Sequence, residues 1–264
     1  MKYTPIDYNK DFEGKIAIVT GASSGIGKAV KEALLFHGAK VFNLDIKDTD
    51  YKTDVSDSDQ VKKIIEKIVK EHGAPTFLVN NAGIEYNNDG NIVTMPRDKR
   101  KRILDVNLGG YMNMVDAVVP YMEKTRDGRI VNISSVQATQ SCLPGTMYQV
   151  TKEAILGLTR VLTLEYAKKG IRVNTVSPGG IKTEGMGNVR IEDNPAALDN
   201  LIKSTPLGRR GHAEEVANAV LFLLSSGASY INGANLVVDG GMLNTLVGDM
   251  GLPEEPVKDD PDKD

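Results

Sequence analysis

Short apolar runs alternate with long helical patterns along nearly the whole chain, and that alternation leaves few folds open to it. The runs at 16–19, 40–44, 77–79, 130–133, 173–176 and 236–238 are a few residues long and apolar toward both faces. Strands read this way when helices cover a parallel sheet on both sides. Between them, helical patterns occupy 25–37, 58–72, 97–124, 146–169 and 213–224. In the second of these, Val61, Ile64, Ile65, Ile68 and Val69 line one stripe while Lys, Glu and Asp fill the other face. Repeated strand–helix–strand units cross over right-handedly, so the expected fold is a single α/β domain: a doubly wound parallel sheet with helices on both faces. That domain is placed at 15–248. Residues 1–14 lack periodicity and are expected as a surface arm. A stretch dense in Gly, Pro and polar residues at about 184–211 is expected as a lid. The end, 249–264, carries seven acids against Lys258 and Lys263 and is expected as a solvated acidic tail.

The net charge of −3 leaves no basic surplus to neutralise phosphates, which argues against nucleic acid as a partner. No apolar run approaches the ~20 residues a bilayer requires, and the first residues hold no apolar signal core. Neither a membrane partner nor secretion is therefore expected, and a cytoplasmic location is. The lone Cys142 cannot form an internal disulfide, and His37, His72 and His212 share no metal-ligand spacing, so no metal is expected. What remains is a small-molecule site.

The run Thr-Gly-Ala-Ser-Ser-Gly-Ile-Gly at 20–27 follows the first strand and opens the first helix. Its glycines let the backbone turn sharply and approach a pyrophosphate, whose charge a helix N-terminus stabilises. Their spacing differs from the Gly-x-Gly-x-x-Gly fingerprint, so position after a strand and before a helix carries the reading. Asp45 ends the second apolar run at the carboxyl edge of the sheet, where open α/β folds bind ligands. A carboxylate there accepts hydrogen bonds from both adenosine ribose hydroxyls and repels a 2′-phosphate. Lys47 is the only nearby cation, so NAD is expected in preference to NADP.

Tyr148 and Lys152 stand four apart in a helical pattern and so share one face. A free tyrosine has a pKa near ~10 and is a poor base at neutral pH. An ammonium ~4 Å away at an effective dielectric of ~20 favours the phenolate by about 4 kcal/mol, roughly a thousandfold in its ionisation. Ser135 ends an apolar run thirteen residues upstream of the tyrosine.

Read in order, the run at 20–27, Asp54-Val55, Asn80-Asn81-Ala82-Gly83, Asn107, Ser135, Tyr148-x-x-x-Lys152, Pro178-Gly179 with Thr183, and Asp239-Gly240-Gly241 resemble the short-chain dehydrogenase/reductase family over nearly the whole chain. The resemblance implies a Rossmann fold and hydride transfer between nicotinamide and a CH–OH donor. It implies a cofactor site in which Gly21, Ser23, Ser24, Gly25, Ile26 and Gly27 form the loop and Asp54 and Val55 bracket the adenine. Asn81, Ala82 and Gly83 line the sheet beside the cofactor, Pro178 and Gly179 also contact it, and Ile181 and Thr183 hold the nicotinamide carboxamide. Tyr148 takes the proton from the substrate hydroxyl as hydride leaves, and Ser135 hydrogen-bonds the substrate oxygen. Lys152 lowers the tyrosine pKa and holds the nicotinamide ribose, while Asn107 anchors a water that relays protons to solvent. Ser134 rivals Ser135, and the usual serine-to-tyrosine spacing favours Ser135. Two departures border the substrate side: Val-Gln-Ala-Thr-Gln follows Ser135, and Gln-Val-Thr follows Tyr148. The two longest helical patterns resemble the pair that forms a four-helix interface in family oligomers, which implies a homotetramer or homodimer. In such assemblies a tail with Leu252 and Pro253 can reach a neighbour's pocket.

Glu85 stands where many family members carry an apolar residue, and Asn-Ala-Gly-x-Glu resembles the family's aldose dehydrogenases. An acid accepts hydrogen bonds from vicinal hydroxyls, and Gln137 adds a polar contact. The expected substrate contacts are Glu85, Ser135, Gln137 and Tyr148, and the expected reaction is NAD-linked oxidation of a sugar or polyol. A 3-oxoacyl-(acyl-carrier-protein) reductase shares every core motif and is the alternative. It normally uses NADP and a basic docking face, for which the only dense basic run is 97–102, otherwise a solvated helix start. A catalytically inactive dinucleotide sensor is the remote third.

Overall fold

Strands without a polar face have to be covered on both sides, and this chain does so with two helical layers around one sheet. The computed structural model describes residues 6–47, 49, 51–86, 91–142, 145–183 and 193–245. Its helices are α1 (Tyr8–Phe12), α2 (Gly25–Phe36), α3 (Ser58–His72), α4 (Arg97–Leu104), α5 (Gly110–Thr125), α6 (Thr146–Tyr166), α7 (Pro195–Lys203) and α8 (Ala213–Leu224). The strands are β1 (Ile16–Thr20), β2 (Lys40–Asp45), β3 (Tyr51–Lys52), β4 (Phe77–Asn80), β5 (Gly128–Ile133), β6 (Ile171–Pro178), β7 (Ile181–Lys182), β8 (Gly211–His212) and β9 (Asn235–Val238). Seven of them form one parallel sheet in the order β3-β2-β1-β4-β5-β6-β9, while β7 and β8 pair separately. This is the doubly wound single sheet expected from the alternation.

Each face of the sheet has its own core. Val30 and Leu34 of α2 and Val216, Val220 and Leu224 of α8 pack on Val19, Val79 and Val131. On the other face Ile65 and Ile68 of α3, Met114 and Val118 of α5 and Leu162 of α6 pack on Ile18, Leu44, Leu78 and Ile130. Burying each such side chain contributes about 1.5–3 kcal/mol, so the central strands are the fixed frame of the molecule.

Three segments differ from expectation. Within the 1–14 arm, α1 forms with Asp7 as its cap, and Phe12 is fully buried against Phe77, so this helix is anchored in the core. One helical turn is too short to show a period. The 97–124 pattern is not one helix: a π-helical turn (Asp105–Gly109) separates α4 from α5. In the proposed lid, Asn194 caps α7 through the Ala197 amide, giving residues 195–203 a helix of their own. Residues 184–192 and the tail from 246, with Leu252 and Pro253, lie outside the described residues. Among the described residues no helix is long and apolar enough to cross a membrane, and no cluster of His, Cys, Asp and Glu is arranged to hold a metal.

Candidate active site

The strand order reverses between β1 and β4, and in open α/β sheets the crevice at the carboxyl edge of such a reversal is where ligands bind. The Thr20 hydroxyl accepts hydrogen bonds from the Asn81 and Ala82 amides at 2.9 and 3.0 Å. The Asn81 side chain returns two, to the carbonyls of Thr20 and Gly21. The two loops are thereby locked together. Gly21 has φ +65°, and a Cβ on it would stand 2.9 Å from the Ala82 Cα; a Cβ on Gly27 would press on the Gly21 carbonyl and the Asn81 amide.

Helix α2 starts without a cap. Ser24 occupies the N-cap position yet makes no capping bond, and among the described residues the amides of Gly25, Ile26 and Gly27 have no partner. The contrast is with α3, where Asp57 caps Gln60 at 3.0 Å. Free amide donors at a helix N-terminus, reached over glycines that leave the backbone bare, fit the pyrophosphate of a dinucleotide. Gly27→Ala is expected to weaken NADH binding at least about tenfold and to lower Tm, since overpacking here moves the loop itself. Fluorescence titration and a thermal melt check both.

Asp45 stands half-buried at the end of β2, its two oxygens accepting from the Ser23 and Lys47 amides, both at 3.1 Å. Each oxygen keeps a lone pair for a further donor. Next along the crevice, Asp54 accepts Arg102 Nη2 at 2.7 Å and the Ser56 hydroxyl at 2.7 Å. Burial acts against its charge, but hydrogen bonds from Ser56 and Arg102 prevail and hold the carboxyl below its usual value. The basic run 97–102, expected as a solvated helix start, thus contributes Arg102 to this wall. Val55 is buried beneath Gly110, where a Cβ would stand 2.6 Å away. On the far side Pro178 ends β6, the Gly179 amide donates to Val238, Ile181 lies in β7, and Thr183 is 3.4 Å from a Cβ placed on Gly25.

Tyr148 and Lys152 lie on one face of α6 and are both buried. Ser135 follows β5, and its hydroxyl accepts from the Gln137 amide at 3.1 Å and hydrogen-bonds the Tyr148 phenol. Ser134 instead donates to the Lys152 carbonyl at 2.7 Å. The Lys152 ammonium donates to the Ile133 carbonyl at 2.8 Å and sits 5.4 Å from the centre of the Tyr148 ring. Asn107 is buried on the π-helical turn. Its amide accepts from Ile84 N at 2.8 Å and donates to the Ile84 carbonyl at 2.9 Å. A π-turn adds a residue to the helix, which turns this side chain inward against the strand-end loop. Asn80, the first residue of the Asn-Asn-Ala-Gly run, donates to Asn132, which donates to Thr159 on α6, a buried ladder joining β4, β5 and the tyrosine-bearing helix.

Spacing alone predicts an acidified phenol; in the folded site the opposite holds. Burial and the Glu85 carboxylate push the Tyr148 phenol well up, outweighing the Ser135 hydrogen bond. Burial draws Lys152 down to about 7, with Glu85 opposing. Two charges removed from water lose more solvation than one pair of them regains, so the ammonium's pull on the phenol does not win by itself.

On the substrate side, Gly145 has φ +121° ahead of α6. A Cβ there would stand 2.8 Å from a Glu85 oxygen, 3.5 Å from Gln149 Nε2 and 3.6 Å from Gln137 Oε1. Three polar side chains therefore converge beside Tyr148, and Gln137 Oε1 is buried without a hydrogen-bond partner. Gln149 was missed by sequence reasoning although the departure after Tyr148 pointed at it. Its amide bonds the Cys142 backbone in both directions and fastens the loop that borders the site. Burial and Glu85 push the Cys142 thiol up, which disfavours its thiolate. Tyr111, also missed, donates to the Ile133 carbonyl at 2.9 Å; no pattern in the sequence marks it.

Comparison with known proteins gives consistent likenesses. A family model described as enoyl-(acyl carrier protein) reductase matches residues 21–243. The 3-oxoacyl-(acyl-carrier-protein) reductase FabG of Thermotoga maritima is 38% identical over 248 residues, covering 88% of this chain and 98% of that protein. The oxidoreductase UcpA of Salmonella typhimurium is 37% identical over 249 residues, covering 86% and 94%. Among solved structures, the ligand-free aldohexose dehydrogenase of Thermoplasma acidophilum is similar with a TM-score of 0.82 at 40% identity, covering 92% of this chain and 99% of that one.

Proposed function

This chain belongs to the short-chain dehydrogenase/reductase family, and on that premise we propose that it oxidises a hydroxyl of a sugar or polyol with NAD. The observation that carries the substrate class is the convergence of Glu85, Gln137 and Gln149 beside Tyr148. A carboxylate next to the reacting group accepts hydrogen bonds from vicinal hydroxyls, whereas an acyl chain laid on it would cost it solvation and offer no donor in return. The likeness to an aldohexose dehydrogenase supports the same reading.

The bare amides of Gly25, Ile26 and Gly27, with Ser23 and Ser24 beside them, hold the pyrophosphate. Asp45 takes the adenosine ribose hydroxyls and excludes a 2′-phosphate, Asp54 and Val55 flank the adenine, and Asn81 to Gly83 line the crevice. Pro178, Gly179, Ile181 and Thr183 close it at the nicotinamide end. Bound oxidised nicotinamide supplies the hydride acceptor and a positive charge in a site that otherwise keeps the phenol protonated. Ser135 holds the substrate oxygen, and Tyr148 as phenolate takes the proton from the hydroxyl. Lys152 as ammonium stabilises that phenolate. Asn107, its amide committed to Ile84, serves the proton relay through its main-chain carbonyl. Exposed Met112 on α5 and Val150, Val161 and Leu164 on α6 support a homotetramer or homodimer built on those helices.

Glu85→Leu is expected to lower kcat/KM for the sugar at least about a hundredfold, two hydrogen bonds to a charged acceptor being worth about 1.5–3 kcal/mol each, with NADH affinity unchanged. Steady-state kinetics beside a binding titration test this; an unaltered kcat/KM would remove Glu85 from the substrate site. A second reading, reduction of 3-oxoacyl thioesters, is supported by the identity to the Thermotoga reductase. A thioester turned over with NADPH while every aldose and polyol is inert would establish it instead.

A further inference from the structure

We propose that Tyr111 is a positioning residue that holds the Lys152 ammonium over its ring and keeps in place the Ile133 carbonyl on which that ammonium rests. The inference builds on the reading of Lys152 and Tyr148 as the reacting pair. Tyr111 is only 1% exposed and has no part in the chemistry derived above. The pairing of β5 with β4 ends at Asn132 opposite Asn80, so the next carbonyl, that of Ile133, has lost its β4 neighbour. A buried carbonyl needs partners, and it has two: the Tyr111 hydroxyl at 2.9 Å and Lys152 Nζ at 2.8 Å. The same Nζ lies 5.7 Å from the centre of the Tyr111 ring, within the range where a ring face attracts a cation.

The arrangement ties three elements at one point. α5 brings the ring, β5 the carbonyl, and α6 the ammonium. The hydroxyl bond fixes the tilt of the ring, and the ring face favours the charged lysine over the neutral amine. That matters because burial draws this lysine down to about 7 even with Glu85 opposing, so it is charged only part of the time at neutral pH. The titratable groups facing it are Tyr148 on its own helix, Tyr111 on α5 and Glu85 after β4; Cys142, ahead of α6, acts on Tyr148. Glu85 and the Tyr111 face both favour the ammonium. Removing the ring therefore lowers the lysine's midpoint, withdraws charge from beside the phenol, and moves the acid limb of the oxidation profile to higher pH.

The test compares Tyr111→Phe, Tyr111→Leu and Tyr111→Met in the full chain. The Lys152 Nζ resonance of lysine-labelled protein is titrated by NMR, and the pH profile of kcat/KM and Tm are measured alongside. Tyr111→Phe keeps the ring face and loses only the hydroxyl's hold on the Ile133 carbonyl, so it is expected to shift the lysine midpoint by clearly less than the ringless variants do. Tyr111→Leu and Tyr111→Met are expected to lower it by about half a pH unit or more, with the acid limb moving up. The methionine variant preserves bulk should the leucine variant fail to fold. A ringless variant that folds with lysine midpoint and limb unmoved, or a Phe variant that shifts as far as the ringless ones, would overturn the proposal, leaving Tyr111 a packing residue. The NMR midpoint reads this coupling even if no substrate is turned over, so failure here and failure of the enzymatic reading are separable.

Discussion

Tyr148→Phe is expected to reduce NADH formation about 1,000-fold while NADH binds as tightly as before, the range typical of losing a positioned general base. The change removes one oxygen from a ring that stays buried, and Ser135 keeps its bond to the Gln137 amide, so little else moves. Because the lost interaction belongs to the transition state, kcat and kcat/KM should fall together. The pH dependence of the parent has a fixed sign. Burial and Glu85 raise the phenol above its ordinary value, so the base form is scarce at low pH and oxidation climbs as pH rises. In the Phe variant the residual rate loses that limb. A protein that only senses dinucleotide would show neither effect, and stopped-flow or steady-state absorbance across pH decides between them.

The second large effect is at the other end of the cofactor crevice. Asp45→Ala is expected to move the NAD to NADP ratio of kcat/KM about a hundredfold toward NADP. The hydrogen bond from the 2′-hydroxyl, which NADP lacks, is lost, worth about 1.5–3 kcal/mol, and so is the repulsion of a 2′-phosphate. The carboxylate also fastens the glycine loop through the Ser23 amide, so both cofactors will bind less well in absolute terms. The ratio cancels that shared loss and is the quantity to measure. Asp45→Asn separates the two causes, since it keeps an acceptor for the loop and removes the charge. A ratio unchanged in both variants would mean that this acid does not choose the cofactor.

Sequence and structure agree to the residue for α3 at 58–72 and α8 at 213–224, each periodic over three turns or more, while α2 ends one residue and α6 three residues before the expected bounds. The period fails where one residue is inserted. Residues 97–124 keep a helical stripe across the π-turn, because a single extra residue rotates the face without interrupting it, and nothing in Asp-Val-Asn-Leu-Gly announces the break. Elements of two residues, such as β3, β7 and β8, and the one-turn α1 lie below any pattern. At the site, four-residue spacing correctly puts Tyr148 and Lys152 on one face. Their protonation was not legible, because it depends on burial by residues distant in sequence, among them Glu85. Tyr111 joins the lysine only because β5 outlasts β4 at that edge, a fact of register rather than of composition.

The central claim, that a buried tyrosine–lysine pair takes the proton of a polyhydroxylated substrate as its hydride passes to NAD, is tested most directly by the absorbance of reduced nicotinamide. The purified protein is offered NAD and NADP separately against a panel of aldoses and polyols, with NADPH and a 3-oxoacyl thioester as the reverse arm. The expected result is NADH from at least one aldose or polyol, with little or none from NADP. Silence across the sugar panel, with NADPH consumed by the thioester, would contradict it.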